Sequence, residues 1–339
     1  MARIVDVVSF LPERVVRNDE LPAEAGTGPM EAHEFFAGVA ERRFASPDYT
    51  SAELGTAALS KLLQRNGVRP GEIDLLICSA QFNDVFSPGI GTAVQHAIGA
   101  DSAAVLHVEN GCCSWISALD AARSYIGSGR YRTVAVVTVT NFVSRLEEFQ
   151  LSPESRVLGD GASATLLVAG SAEDTGAGGG AVLAVHERAL GQNWGALRVE
   201  PDEVDGVSLP YWARAAGPFT VKFSEKMLIR LWQAAMEQLP RAVSAVLGDA
   251  GLSAAEVSCL ITHQPNTRYL AEWRERCGIP SDRAHDTLAS YGNMFHSSLP
   301  VTFADALEKK RISAGDVIAF ATFTHGGEMV SAMVWRWTG

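Results

Sequence analysis

Apolar and polar residues alternate along the chain in two recurring patterns. Helical spacing of the apolar residues predicts amphipathic helices at 50–66, 225–247, 114–126 and 300–310. Short runs rich in β-branched residues predict buried strands at 73–79, 133–140 and 317–324. Strands that alternate with helices indicate an α/β fold, in which helices cover a parallel sheet.

The first part of the chain resembles the second at a constant offset of 184 residues. Residues 67–77 match 251–261, the same offset aligns 133–140 with 317–324, and it aligns the segment after Cys113 with the segment after Ser297. One offset that holds at three places predicts two duplicated α/β halves packed on each other. We place these halves at residues 1–175 and 176–339, joined near the glycine-rich stretch 175–180.

Composition and charge narrow the class of protein. The 339 residues are 47% hydrophobic and 20% charged, which is typical of a globular protein with a substantial core. The net charge of −11 argues against a broad nucleic-acid-binding surface. No apolar run approaches the roughly 18 residues that span a bilayer, and charges interrupt the first 16 residues. We therefore expect a cytoplasmic protein with neither a signal peptide nor a membrane anchor.

The cysteines are expected to be reduced thiols rather than disulfide-bonded, because their number is odd and their spacing is irregular. A cysteine with a special role would then act through the reactivity of its thiol. They are Cys78, Cys112, Cys113, Cys259 and Cys277. Cys113 opens a predicted helix, where backbone N–H groups favour a thiolate and can hold an oxyanion, so it is a candidate nucleophile. The spacing alone equally allows Cys112 and Cys113 to be small buried residues. A zinc site formed by these two with His263 has poor tetrahedral spacing.

Two further polar residues lie at equivalent positions of the second half. His263 ends a predicted strand, and Asn293 stands four residues before the position that matches Cys113. Pseudo-twofold packing of the halves would bring both toward the cysteine. A lone histidine is more often structural, but a histidine and an asparagine facing a helix-capping cysteine indicate a reactive site.

These residues resemble the β-ketoacyl-acyl-carrier-protein synthase III group of the thiolase superfamily. That family has a cysteine at a helix start, a His-Gln-Ala-Asn motif, matched here by 263–266, and a Tyr-Gly-Asn motif, matched by 291–293. The resemblance covers nearly the whole chain. It also includes the segments 11–13, 41–43, 88–95 and 159–162.

The resemblance implies a thiolase fold of five layers (αβαβα) and a catalytic triad of Cys113, His263 and Asn293. Cys113 would accept an acyl group from a thioester, with the oxyanion held by N–H groups at Cys113 and near Phe323. His263 and Asn293 would bind a malonyl thioester and stabilise the enolate that forms on decarboxylation. It gives Cys112 no catalytic role, requires neither a cofactor nor a metal, and implies a homodimer.

The chain departs from the family at positions that bind the acyl donor. A tryptophan and an arginine that hold the nucleotide of coenzyme A in the family are replaced by Ala32 and Phe36, and a further arginine by Ser152. These losses favour an acyl carrier protein over acyl-coenzyme A as the donor. The C-terminal glycine loop is also bulkier, at 320–326.

The predicted acyl pocket contains Phe86, Ser87, His296 and Phe323. Ser87 replaces the bulky residue that usually gates the acyl tunnel from the partner subunit, so the pocket is expected to accept a longer or branched group. His296 stands where the family has small residues; it is either an extra polar group near the pocket or a core residue, and we favour the core.

Three arginines form the predicted docking surface for the carrier protein: Arg268, Arg274 and Arg276. Arg268 matches the family's docking arginine, and Arg276 lies about two helical turns further along on the same face. Because the rest of the protein is acidic, an acidic carrier protein would be attracted electrostatically to this basic cluster. The alternative is an ordinary solvated helix face.

We therefore expect an acyltransferase that carries out decarboxylative Claisen condensation in polyketide, fatty-acid-like or other secondary metabolism. The alternative is a non-condensing enzyme that passes the acyl group to an oxygen, nitrogen or thiol acceptor. A third reading, a non-catalytic partner subunit, is disfavoured because Cys113, His263 and Asn293 are all present.

Overall fold

The computed structural model describes residues 2–20, 38–46, 48–141, 156–170, 179–201, 203–210, 213, 219–223, 225–324 and 326–339. Within these ranges no helix combines the length and the apolar character needed to cross a membrane. Ala32, Phe36 and Ser152, and the proposed junction at 175/176, lie outside the described residues.

Strands and helices alternate broadly as the sequence predicts. The strands are β1 (Ala2–Phe10), β2 (Arg14–Arg17), β3 (Glu41–Phe44), β4 (Leu75–Ala80), β5 (Ala104–His107), β6 (Thr133–Thr140), β7 (Gly161–Ala169), β8 (Gly180–Ala189), β9 (Leu197–Pro201), β10 (Phe219–Phe223), β11 (Cys259–Thr262), β12 (Val317–Phe323) and β13 (Met329–Trp337). The helices are α1 (Ser51–Asn66), α2 (Gly91–Ile98), α3 (Ser114–Gly127), α4 (Glu225–Asp249), α5 (Thr267–Cys277), α6 (Leu288–Tyr291) and α7 (Phe295–Glu308).

The strand order reproduces the repeat. In the described part of the chain, nine strands form one sheet in the order β11-β12-β13-β8-β1-β7-β6-β4-β5, and β1 pairs with β8 at Ile4 and Gly180. Outward from this junction β1, β7, β6 and β4 correspond in order to β8, β13, β12 and β11, while β5 has no counterpart among the described strands. The 184-residue offset carries the start of β4 onto that of β11 and the start of β6 onto that of β12.

The sheet is mixed rather than parallel as predicted. Among the described strands of this sheet, β4 runs parallel to β5 and β6, and β11 runs parallel to β12. Strands β1, β7, β8 and β13 pair antiparallel with their neighbours. The reason is clearest between β12 and β13, where a connection of five residues is long enough for a hairpin but too short for a helical crossover.

Helices α3 and α7 lie between the two parts of the sheet, α1 and α2 cover one outer face, and α4 and α5 cover the other. In β12, Ile318 and Phe320 pack toward the inner helices, whereas Ala319 and Ala321 belong to the outer cluster with α4. This alternation produces the five layers of the αβαβα architecture.

Helix boundaries follow local capping chemistry. Thr50 and Glu53 form a capping box at the start of α1, and Gly67 ends that helix in the left-handed region at φ 63°. Helix α7 begins at Phe295, five residues earlier than the predicted start at Pro300. Pro300 is the sixth residue of the helix, where it cannot donate the hydrogen bond that residue 300 would otherwise make to the His296 carbonyl oxygen.

Candidate active site

Cys112 and Cys113 lie in the turn that leads from β5 into α3. Residues Gly111–Cys113 form a 3₁₀ turn, the Cys113 N–H donates to the Asn110 carbonyl oxygen at 3.0 Å, and α3 begins at the next residue. Gly111 adopts φ +53°, which a glycine accommodates without strain. The turn thus places both thiols at the N-terminus of a helix.

His263 lies immediately after β11. Its N–H donates to the Ala321 carbonyl oxygen of β12 at 3.0 Å, so the parallel pairing of the strands extends to the histidine, and its side chain is buried. Gln264 accepts hydrogen bonds from the N–H groups of Thr287 and Leu288. Gln264 therefore has a structural role: it links the segment after β11 to helix α6.

Asn293 lies between α6 and α7 with both its backbone and its side chain held. Its N–H donates to Val157 O at 2.6 Å, and its carbonyl accepts from Gly159 N at 3.0 Å. Its Oδ1 accepts from Phe295 N at 2.9 Å and from Ser298 Oγ at 3.2 Å. Because the amide oxygen is engaged by the start of α7, the amide orientation is fixed, and its nitrogen is a hydrogen-bond donor of defined direction.

Cys113, the predicted nucleophile, faces strand β13. Its thiol is fully buried and hydrogen-bonds to Ser331 of β13. Burial raises the pKa of Cys113 to about 12; the bond to Ser331 opposes this, and the carboxylates of Glu187 and Glu328 add to it. Ser331 alternates with the outward-packing Val330 and Ala332, so Cys113 faces the inner layer between the two parts of the sheet.

Cys112 is on the other side of the turn. It belongs to the outer apolar cluster, together with Phe295, Phe323 and Leu158. Phe295 donates to the side chain of Asn293, Leu158 forms a β-bridge with Asn293, and Phe323 lies two residues beyond the partner of His263. The cysteine to which the sequence analysis assigned no role therefore shares an apolar cluster with two neighbours of Asn293, and its carbonyl oxygen accepts a hydrogen bond from Thr322 Oγ1, next to the strand partner of His263, at 3.1 Å.

The predicted pocket residues do not form one group within a single chain. Phe323 is buried in the outer cluster, whereas Phe86 is 83% exposed and Ser87 is also exposed, on the loop between β4 and α2. His296 is buried in the inner layer, where its Nδ1 lies 2.8 Å from Ser79 Oγ and its Nε2 3.7 Å from Glu109 Oε1.

The three arginines after the motif at 263–266 have separate surroundings. Arg268 is exposed and stacks over the Trp232 ring, with 5.1 Å from its guanidinium carbon to the ring centre. Arg276 pairs with Glu272 at 3.2 Å, and Glu272 lies between it and Arg268 along the same face. Arg274 pairs with Asp286, is only 19% exposed, and burial lowers its pKa.

Sequence reasoning missed three polar residues beside this site: Ser79, Glu109 and Ser298. Their partners are distant in sequence or lie across a turn, so no local motif marks them. In the part of the chain that the structure describes, no three His, Cys, Asp or Glu side chains are arranged to hold a metal ion.

Two family models match the chain. The model described as 3-oxoacyl-(acyl-carrier-protein) synthase III matches residues 106–191, and the model of its C-terminal part matches 247–337. Together they cover just over half of the chain, including both cysteines, His263 and Asn293.

Relatives identified by sequence and by solved structure carry the same kind of name as the family models. The chain is 29% identical over 336 residues to a β-ketoacyl-(acyl-carrier-protein) synthase III of Halalkalibacterium halodurans, covering 99% of this chain and 98% of the relative. The 3-oxoacyl-(acyl carrier protein) synthase III of Pseudomonas aeruginosa is 26% identical, with a TM-score of 0.83 and coverage of 99% and 98%. A priming β-ketosynthase of a polyketide biosynthetic pathway is 25% identical, with a TM-score of 0.81 and coverage of 99% and 96%.

Proposed function

Because this chain belongs to the 3-oxoacyl-(acyl-carrier-protein) synthase III family, we propose that it catalyses decarboxylative Claisen condensation through an acyl-cysteine. The cysteine thiolate attacks the acyl thioester, and the donor's sulfur leaves as a thiolate. A malonyl thioester then loses CO₂, and its α-carbon attacks the acyl-cysteine. The new C–C bond yields a 3-oxoacyl thioester and returns the cysteine as thiolate.

We assign the acyl group to Cys112, with Cys113 as the second candidate. One observation carries this assignment: Cys112 packs in the cluster that contains the immediate neighbours of Asn293, whereas the Cys113 thiol is directed toward Ser331 and two carboxylates. A negative environment opposes formation of a thiolate. Acylation followed by intact-mass measurement and peptide mapping, on wild type, Cys112→Ser and Cys113→Ser, tests the choice.

His263 and Asn293 bind the malonyl thioester carbonyl in this proposal. Asn293 contributes an N–H donor, because Ser298 and Phe295 engage its oxygen. A fixed donor directed at the carbonyl stabilises the developing enolate without reorganising during the reaction. If the acyl-enzyme forms but malonyl thioester releases no CO₂, while the acyl group moves to an alcohol, amine or thiol, the non-condensing alternative replaces this proposal.

Acyl carrier protein is the proposed donor, with Arg268 as the principal contact. Arg268 is exposed and braced by Trp232, whereas Arg274 and Arg276 each pair with a carboxylate. Arg268→Glu should raise KM for a carrier-bound acyl group at least tenfold and leave a small acyl thioester unaffected. Arg276→Glu on the same face is the matched control and should have the smaller effect; equal effects of the two variants would contradict docking at Arg268.

A homodimer is proposed because β5 is the edge strand of the sheet and the adjoining loop presents Val85 and Phe86 at 56% and 83% exposure. Exposed strand edges and large exposed apolar side chains together favour association with another protein chain.

We also propose that the chain consists of two duplicated halves, at 1–175 and 176–339. A role in specialised metabolism is proposed as well, and the similarity to a polyketide priming ketosynthase supports it.

A further inference from the structure

A chain of polar side chains joins the nucleophile turn to strand β4 and helix α7. Glu109 lies just before the turn, and its Oε1 accepts the Gly111 N–H at 3.0 Å. The same oxygen lies 3.7 Å from His296 Nε2, and His296 Nδ1 lies 2.8 Å from Ser79 Oγ. Ser79 and His296 are separated by 217 residues and are both buried.

The Glu109 carboxylate and the Ser79 hydroxyl together favour one tautomer of His296. Its side chain is 1% exposed, and burial lowers its pKa to about 3, so the ring is neutral with one donor and one acceptor nitrogen. A proton on Nε2 faces the Glu109 carboxylate, whereas a lone pair there would be repelled by it. Nδ1 must then accept from the Ser79 hydroxyl. The distance of 3.7 Å makes the contact with Glu109 an electrostatic one rather than a direct hydrogen bond.

We propose that Glu109 is a positioning residue for the Cys112 thiol, and that His296 and Ser79 act through it. Glu109 holds the N–H of Gly111, the residue before Cys112, and Gly111 has the φ of +53° that sets the turn. His296 lies three residues after Asn293, at the start of α7. The contact therefore aligns the turn that carries the thiol with the segment that carries Asn293. This inference rests on the proposed function.

The internal repeat places His296 at the position equivalent to Cys112. The 184-residue offset relates His296 to Cys112, so the two halves place a thiol and an imidazole at equivalent helix starts.

Displacement of a reacting group by about 1 Å can lower the reaction rate on the order of 100-fold. A change at Glu109 should therefore lower the rate of acylation without weakening substrate binding.

The test compares Glu109→Ala with Glu109→Gln, because glutamine keeps an oxygen that can accept the Gly111 N–H. With a small acyl thioester, we expect the alanine variant to acylate 10- to 100-fold more slowly at unchanged KM. We expect the glutamine variant to stay within about threefold of wild type. Glu308→Ala, an exposed glutamate at the far end of α7, is the matched control and should be unaffected.

A second arm tests whether His296 acts through Glu109. His296→Phe should slow acylation, and the Glu109→Ala/His296→Phe double variant should be no slower than the slower single variant. Thermal denaturation of each variant separates loss of positioning from loss of fold; Glu109 is 67% exposed, so Glu109→Ala should stay folded. Acylation of Glu109→Ala at the wild-type rate, or equal loss in the alanine and glutamine variants, overturns the inference. Absence of acylation in wild type overturns the proposed function instead.

Discussion

Treatment with iodoacetamide at pH 8 should mark one cysteine of this protein far faster than the other four. Alkylation requires the thiolate. Burial raises the pKa of Cys113 to about 12, so only about one molecule in 10⁴ carries this thiolate at pH 8, whereas an unperturbed thiol of pKa about 8.5 is roughly one quarter ionised. A cysteine that acts as the nucleophile must reach at least the ionised fraction of an ordinary thiol, so the proposed function requires Cys112 to be alkylated more than about 10³-fold faster than Cys113.

The remaining thiols are protected in the same way. Burial raises the pKa of Cys78 and Cys277 to about 12 and that of Cys259 to about 11. Because the proposed function makes Cys112 the attacking thiolate, we expect a single fast adduct, mapped to Cys112 by peptide mass spectrometry. It should persist in Cys113→Ser and disappear in Cys112→Ser. A fast adduct on Cys113, or one lost in Cys113→Ser alone, would refute the choice between the two thiols.

Three further changes test the site, the core and the assembly. His263→Ala and Asn293→Ala should retain acylation but release CO₂ from malonyl thioester at least 100-fold more slowly, which radiolabelled malonyl substrate measures; unchanged release would exclude them from enolate stabilisation. Phe303→Ala removes a ring that lies 4.9 Å from Trp335 and 5.1 Å from Phe320, centre to centre, and should lower the free energy of unfolding in urea by about 3–5 kcal/mol, whereas a loss under about 1 kcal/mol would contradict tight packing of the inner layer. Phe86→Glu should shift the protein from the proposed dimer to a monomer in sedimentation, and an unchanged mass would remove Phe86 from the proposed interface.

Much of the fold could be predicted from the sequence because both halves repeat the same buried patterns at a fixed offset. Strand direction could not. Residues Gly161–Ala169 are buried along most of β7, so their pattern shows a covered strand without indicating whether it runs parallel or antiparallel to β6. Similarly, Pro300 is a common signal for a helix start, yet α7 begins a full turn earlier because Met294 and Asn293 make its first contacts.

The candidate site was predictable in part. His263 and Asn293 lie at the ends of regular elements, as the repeat predicts, because the preceding segments fix their positions. The choice between Cys112 and Cys113 depends on where each side chain points. Consecutive residues of a 3₁₀ turn point about 120° apart, so neighbouring thiols face different layers. Only the position of Ser331 on β13 reveals which layer Cys113 faces. The link from Ser79 to His296 likewise arises from tertiary packing, since no sequence motif spans 217 residues.

The central claim is the formation of a carbon–carbon bond through an acyl-cysteine, and single-turnover product analysis tests it most directly. Enzyme acylated at saturating donor is separated from that donor and mixed with malonyl-carrier protein. We predict one 3-oxoacyl thioester and one CO₂ for each acyl group lost from Cys112. Transfer of the acyl group to another acceptor with malonyl thioester intact, or the same product yield from Cys112→Ser, would contradict the account.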